Sequence, residues 1–153
     1  MLAAKGYVHR DVKPMNIIQR PPSEYVLIDA GFALDRDGET ISVAGAVVGT
    51  KAYLSPDQLT LPQKELDLRS DLFSLGVTLY ECASGEHPFM NDEAPRGDVM
   101  YNIRDFKCLD PLHFNPSTPA WLCEIILKLL RKDRDERYSN VQALWEALKP
   151  IST

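Results

Sequence analysis

A chain of 153 residues, 44% hydrophobic and 25% charged, can bury a sizeable core and carries no signature of disorder. Its net charge of −5 argues against nucleic acid as a partner, and no apolar run approaches membrane-spanning length. Cys82, Cys108 and Cys123 are widely spaced, odd in number and form no C-x-x-C pair, so they read as reduced thiols of a cytoplasmic protein.

Residues 1–6 read as the last turn of a helix stopped by Gly6, without the apolar core of a signal peptide. Then comes His9-Arg10-Asp11-Val12-Lys13-Pro14-Met15-Asn16. A carboxylate, an ammonium group and a carboxamide lie along a loop that Pro14 stiffens. Asp11 could accept a proton from a hydroxyl, Lys13 could neutralise a transferring phosphoryl group, and Asn16 could offer its carbonyl oxygen to Mg²⁺. The plainer alternative is a charged surface loop.

Asn16–Ile18 and Tyr25–Ile28 are expected to be short strands joined by a turn at Arg20–Ser23. Asp29, leaving the second strand ahead of Ala30 and Gly31, either ends it as a polar turn or leans into a site as a metal ligand. Residues 32–54, with Gly38, Gly45, Gly49, Thr40 and Ser42, read as a mobile loop.

Ser70 is expected to cap a buried helix that stops at Gly85. A short helix is possible at Val99–Arg104. Thr118 and Pro119 open another, with Leu122, Ile125, Ile126, Leu129 and Leu130 on its core face. Arg131–Arg137 reads as a charged turn. Ser139 with Gln142 makes a capping box for a last helix, whose inner face is Val141, Leu144, Trp145 and Leu148.

The string at 9–16 resembles the catalytic loop H-R-D-x-K-P-x-N of the eukaryotic-type (Hanks-type) serine/threonine protein kinases and matches each fixed position. Residues 49–57 resemble G-T-x-x-Y-x-x-P-E with Asp57 as the acid, and residues 71–89 resemble D-x-W-S-x-G followed by Y-E-x-x-x-G-x-x-P-F with Phe73 for Trp. Asp29-Ala30-Gly31 is similar to D-F-G, with Ala30 replacing a ring that helps hold the active arrangement.

The resemblance implies a mainly α fold, the C-terminal lobe of a kinase with a short β-hairpin near the catalytic loop and the N-lobe absent. It divides the chain into a partial kinase domain at 1–149, with catalytic loop 9–16, activation segment 29–57 and helical remainder 58–149, and a tail at 150–153. Asp11 would be the base, Lys13 would act on phosphate, and Asn16 and Asp29 would hold the Mg²⁺ of Mg-ATP. Thr50 would bond near Asp11 and Lys13. Thr40 and Ser42 would be phosphorylation sites with Arg10 as counter-charge. Asp71 would anchor the catalytic-loop backbone, and Arg137 would pair with Asp57.

The implied activity is transfer of a phosphoryl group from ATP to a Ser or Thr hydroxyl of a protein substrate. The 153 residues hold no Gly-rich loop, strand lysine or partner glutamate. The missing N-lobe or another partner is therefore expected to cover an exposed apolar face. The alternative is a truncated or pseudokinase-like interaction module.

Overall fold

The computed structural model describes residues 8–29, 51–95 and 97–149. The expectations for Gly6, Ala30, Gly31, Gly38, Thr40, Ser42, Gly45, Gly49 and Thr50 lie outside the described residues.

Among the described residues the fold is helical with one hairpin. Strands β1 (Ile17–Arg20) and β2 (Glu24–Leu27) pair antiparallel, with Ile17 opposite Leu27 and Arg20 opposite Glu24. Among the described residues five helices follow: α1 (Pro56–Thr60), α2 (Leu68–Ser84), α3 (Val99–Asp105), α4 (Ala120–Leu129) and α5 (Val141–Leu148).

Helix α2 is the axis of the core because its apolar residues point to more than one side. Phe73, Val77 and Tyr80 enter a cluster with Phe89, Ile103 and Ile126, whereas Leu72 packs with Ile125, Leu129, Tyr138 and Leu144. Its buried hydroxyls are satisfied within the protein: Ser74 donates to the Tyr53 carbonyl at 2.7 Å and Thr78 to that of Ser74 at 3.0 Å. Gly76 lets α4 approach, since a Cβ there would lie 2.8 Å from the Leu129 Cβ. Gly85 ends α2 in the left-handed conformation at φ 79° and returns its amide to Glu81.

Three helix starts differ from expectation. Asp67, not Ser70, caps α2; its carboxylate takes the Arg69 amide at 2.9 Å and also clasps the Arg69 side chain, so the helix begins earlier. Pro119 is the N-cap of α4, while Thr118 turns its hydroxyl to the Ala83 carbonyl at 3.0 Å. Asn140 caps α5 by accepting the Ala143 amide at 2.8 Å, and Gln142 bonds Glu146 on the outer surface instead of closing a box with Ser139. On α5 only part of the expected inner face is covered: Leu144 is buried, but Val141 and Trp145 are exposed.

Arg137 locks the α1 end of the molecule to the segment after α4. Its guanidinium meets the Asp57 carboxylate at 2.5 Å and reaches the carbonyls of Arg69 (2.9 Å), Arg131 (2.7 Å) and Lys132 (2.9 Å). The expected pair with Asp57 is thus formed, fully buried on the arginine side. An apolar groove of about 340 Å³ opens between the hairpin and α2, lined by Val12, Ile17, Tyr25, Leu27, Leu72 and Leu75.

Candidate active site

The site begins with the backbone of His9 and Arg10. Both amides donate to the Asp71 carboxylate in the first turn of α2, at 2.7 and 2.8 Å, which fixes the loop to the most buried helix. Burial pushes the Asp71 carboxyl above its ordinary range, against the opposing pull of those two amides. Arg10 adopts φ 69°, a left-handed conformation that costs a non-glycine residue roughly 1–2 kcal/mol. The loop therefore depends on its anchors.

Beyond that kink the candidate side chains converge. Lys13 Nζ donates to both oxygens of Asp11, at 2.9 and 2.7 Å, and Asn16 Nδ2 donates to Asp11 Oδ2 and to the Asp11 carbonyl, each at 2.8 Å. All three residues are buried. Pro14–Asn16 form a single 3-10 turn with proline at its start, which brings Asn16 back over Asp11. Because the Asn16 nitrogen faces Asp11, its carbonyl oxygen is turned to the other side of the amide.

Asp29 reaches the same region along β2. The Ile28 amide donates to the Asn16 carbonyl at 2.8 Å, and the His9 ring bonds the Ile28 carbonyl at 3.1 Å. Asp29 follows directly, exposed and at φ 58°. Among the described residues no three His, Cys, Asp or Glu side chains converge as a closed metal site. An amide oxygen and one exposed carboxylate fit a hard cation that takes its remaining ligands from water and phosphate, as Mg²⁺ does.

Lys51–Asp57 packs against α2, where Ser74 donates to the Tyr53 carbonyl. Tyr53 donates its hydroxyl to Glu81 of α2 at 2.6 Å, and His87 meets the Tyr53 ring edge-on at 5.5 Å between centroids. Burial and the Glu81 carboxylate raise the Tyr53 phenol, and burial lowers the His87 imidazole. The Arg10 guanidinium rests on Gln63 through two long contacts of 3.3 and 3.4 Å, and among the described residues no carboxylate pairs with it.

Asp11, Lys13 and Asn16 are thus assembled, with Asp29 at the neighbouring strand end. Thr50, Thr40 and Ser42 lie outside the described residues. Sequence reasoning gave no role to His9, although it opens the loop motif, or to the Tyr53–Glu81 pair. Both partners of that pair were visible as fixed letters in two separate motifs, and only the fold shows that they touch.

A family model for the protein kinase domain matches residues 1–148. The chain is 34% identical over 146 residues to a probable serine/threonine-protein kinase of Clostridium perfringens, covering 95% of this chain and 21% of the relative. It is 37% identical over 137 residues to the serine/threonine-protein kinase PknB of Mycolicibacterium smegmatis, covering 88% of this chain and 21% of that protein. Against PknB of Mycobacterium tuberculosis the identity is 36% over 137 residues, with 88% and 21% covered. The chain spans about a fifth of the length of these relatives. A match over nearly every residue, on a helical fold with a loop of this composition pinned to its central helix, places the chain in the protein kinase domain family.

Proposed function

We propose that the protein containing this chain transfers the γ-phosphoryl group of Mg-ATP to a Ser or Thr hydroxyl of a protein substrate, and that residues 1–149 are the C-lobe part of its kinase domain. One observation carries the reading: a buried carboxylate, Asp11, held by Lys13 and Asn16 in a loop anchored to α2. Asp11 orients the acceptor hydroxyl and takes its proton. Lys13 adds positive charge where the transferring group gains negative charge. Asn16, through its carbonyl oxygen, and Asp29 would hold Mg²⁺, which when bound supplies charge neutralisation at the phosphate oxygens. Lys13 in the catalytic loop favours Ser or Thr over Tyr as acceptor.

Arg10, weakly held on Gln63, is available to a phosphate on Thr40 or Ser42. The kinase resemblance assigns Thr50 a supporting bond near Asp11 and Lys13. The protein acts in the cytoplasm, and the apolar groove is covered by an N-lobe or another partner. That groove also supports a second reading, a pseudokinase-like interaction module, in which Ala30 marks loss of the active arrangement.

Calorimetric titration with ATP separates the two. The first reading expects Mg²⁺-dependent binding that Asp29→Ala abolishes. Folded protein that binds no nucleotide leaves the second.

A further inference from the structure

Gln58, on α1, has two ends with different partners. Its Oε1 accepts the Ser55 amide at 2.9 Å while Ser55 Oγ accepts the Gln58 amide at 3.2 Å, a complete capping box. Its Nε2 donates to the Arg10 carbonyl at 3.1 Å, 48 residues away in sequence. That carbonyl belongs to the peptide that delivers the backbone to Asp11. The other face of Arg10 is held by Asp71, through the Arg10 amide at 2.8 Å.

A capping box needs only an acceptor, and glutamate provides it as well as glutamine does. The donor end is surplus to the helix. It meets the one carbonyl between the kink at Arg10, φ 69°, and the Asp11 side chain. A strained residue persists only where its surroundings over-determine it. Without the Gln58 bond, the Arg10–Asp11 peptide loses its only described clamp on the α1 side. Gln58 also sits directly behind the segment Lys51–Asp57, so a shift of that segment is transmitted to the peptide before Asp11.

The geometry points to Gln58 as a positioning residue that couples the Lys51–Asp57 segment to the orientation of Asp11. This rests on the reading of Asp11 as the base, and it adds a control: a shift of that segment re-aims the base through one amide.

Gln58→Glu tests it in the natural full-length protein, because the substitution keeps the acceptor for Ser55 and exchanges the donor for a carboxylate oxygen that cannot bond the Arg10 carbonyl. Thermal stability is expected to fall only modestly, since one hydrogen bond is lost while the capping box remains and an acid in the first turn suits the helix. Amide exchange in residues 9–16 is expected to accelerate while residues 56–60 keep their protection. The kcat for phosphoryl transfer is expected to fall about 10- to 100-fold, the scale of a misplaced catalytic group, with KM for ATP unchanged. Gln58→Met, which introduces no charge, is expected to lower kcat as well.

Wild-type exchange at residues 9–16 in Gln58→Glu overturns the coupling. So does a wild-type kcat in that variant, or a loss in Gln58→Glu that Gln58→Met does not share. If the wild-type protein transfers no phosphoryl group, the proposed function fails separately, and the exchange measurement alone decides whether Gln58 clamps the loop.

Discussion

Replacing Arg137 by alanine should be among the most damaging single changes in this chain. The guanidinium is fully buried, sits 2.5 Å from an Asp57 side chain that is 8% exposed, donates to three carbonyls, and lies 5.0 Å from the Phe73 ring centroid. Burial pushes the guanidinium down from its ordinary range, and the Asp57 carboxylate opposes that. Removing one member of a buried pair costs about 3–5 kcal/mol, because the other charge is left in a site built for two. The three carbonyls and the vacated side-chain volume push the loss toward the upper end of that range, about 5 kcal/mol. Domain stabilities are about 5–15 kcal/mol, so the variant should be close to unfolding.

Chemical denaturation of wild type, Arg137→Ala, Asp57→Ala and the double variant measures this. The double variant should be less destabilised than the two single losses added together, by about 2 kcal/mol, because the second substitution removes a charge already stranded. A melting temperature of Arg137→Ala within about 2 °C of wild type would refute the reasoning, since about 5 kcal/mol corresponds to 10 °C or more at this size.

Gly76→Ala should lower stability although alanine is the better helix former by about 1 kcal/mol. The new Cβ would meet the Leu129 Cβ at 2.8 Å, a contact neither helix can relieve by turning a rotamer, and overpacking of this kind costs about 1–3 kcal/mol; a melting temperature at or above wild type would contradict the close approach of α2 and α4. Lys132 makes stability rise with pH just above neutrality. Burial lowers its ammonium from 10.5 to about 8, where it caps the Ile103 carbonyl at 2.5 Å and stacks 4.0 Å from the Phe89 ring, with Cys108, Arg137 and Asp105 as its ionisable neighbours. Between those values the unfolded chain holds a proton that the folded chain has released, so stability should gain about 1 kcal/mol from pH 8 to 9. Cys108, pushed up from 9.0 to about 11, reverses the trend at higher pH. The rise should be absent in Lys132→Met; the same slope in that variant would assign it to another group.

The anchors of the site were legible through the kinase resemblance, which implied that Asp71 holds the catalytic-loop backbone and that Arg137 pairs with Asp57. Asp71 heads a helix, and its carboxylate must find donors; the loop amides of His9 and Arg10 need an acceptor. Asp57 and Arg137 form the implied pair, and the guanidinium donates to three carbonyls as well. Helix starts were harder to read, since neighbouring polar residues compete as caps and packing chooses among them. Asp67 prevails over Ser70 because its carboxylate takes both the Arg69 amide and guanidinium, whereas Ser70 is drawn into the buried first turn. Val141 and Trp145 share a stripe with Leu144, but the surface that α5 packs against is narrower than the stripe, so they stay exposed. Gln58 carried no signal for its second partner, because a hydrogen bond across 48 residues leaves no period in a sequence.

The central claim is that Asp11 is the base of a phosphoryl transfer. Its most direct test is transfer of labelled phosphate from ATP, with Mg²⁺, to Ser/Thr peptides by the full-length protein and by its Asp11→Asn variant. The variant keeps the shape of the side chain and one acceptor for Lys13 and Asn16, so it should fold and still bind ATP while transfer falls about 100-fold or more, within the range set by loss of a general base. Equal rates in wild type and Asp11→Asn would contradict the account.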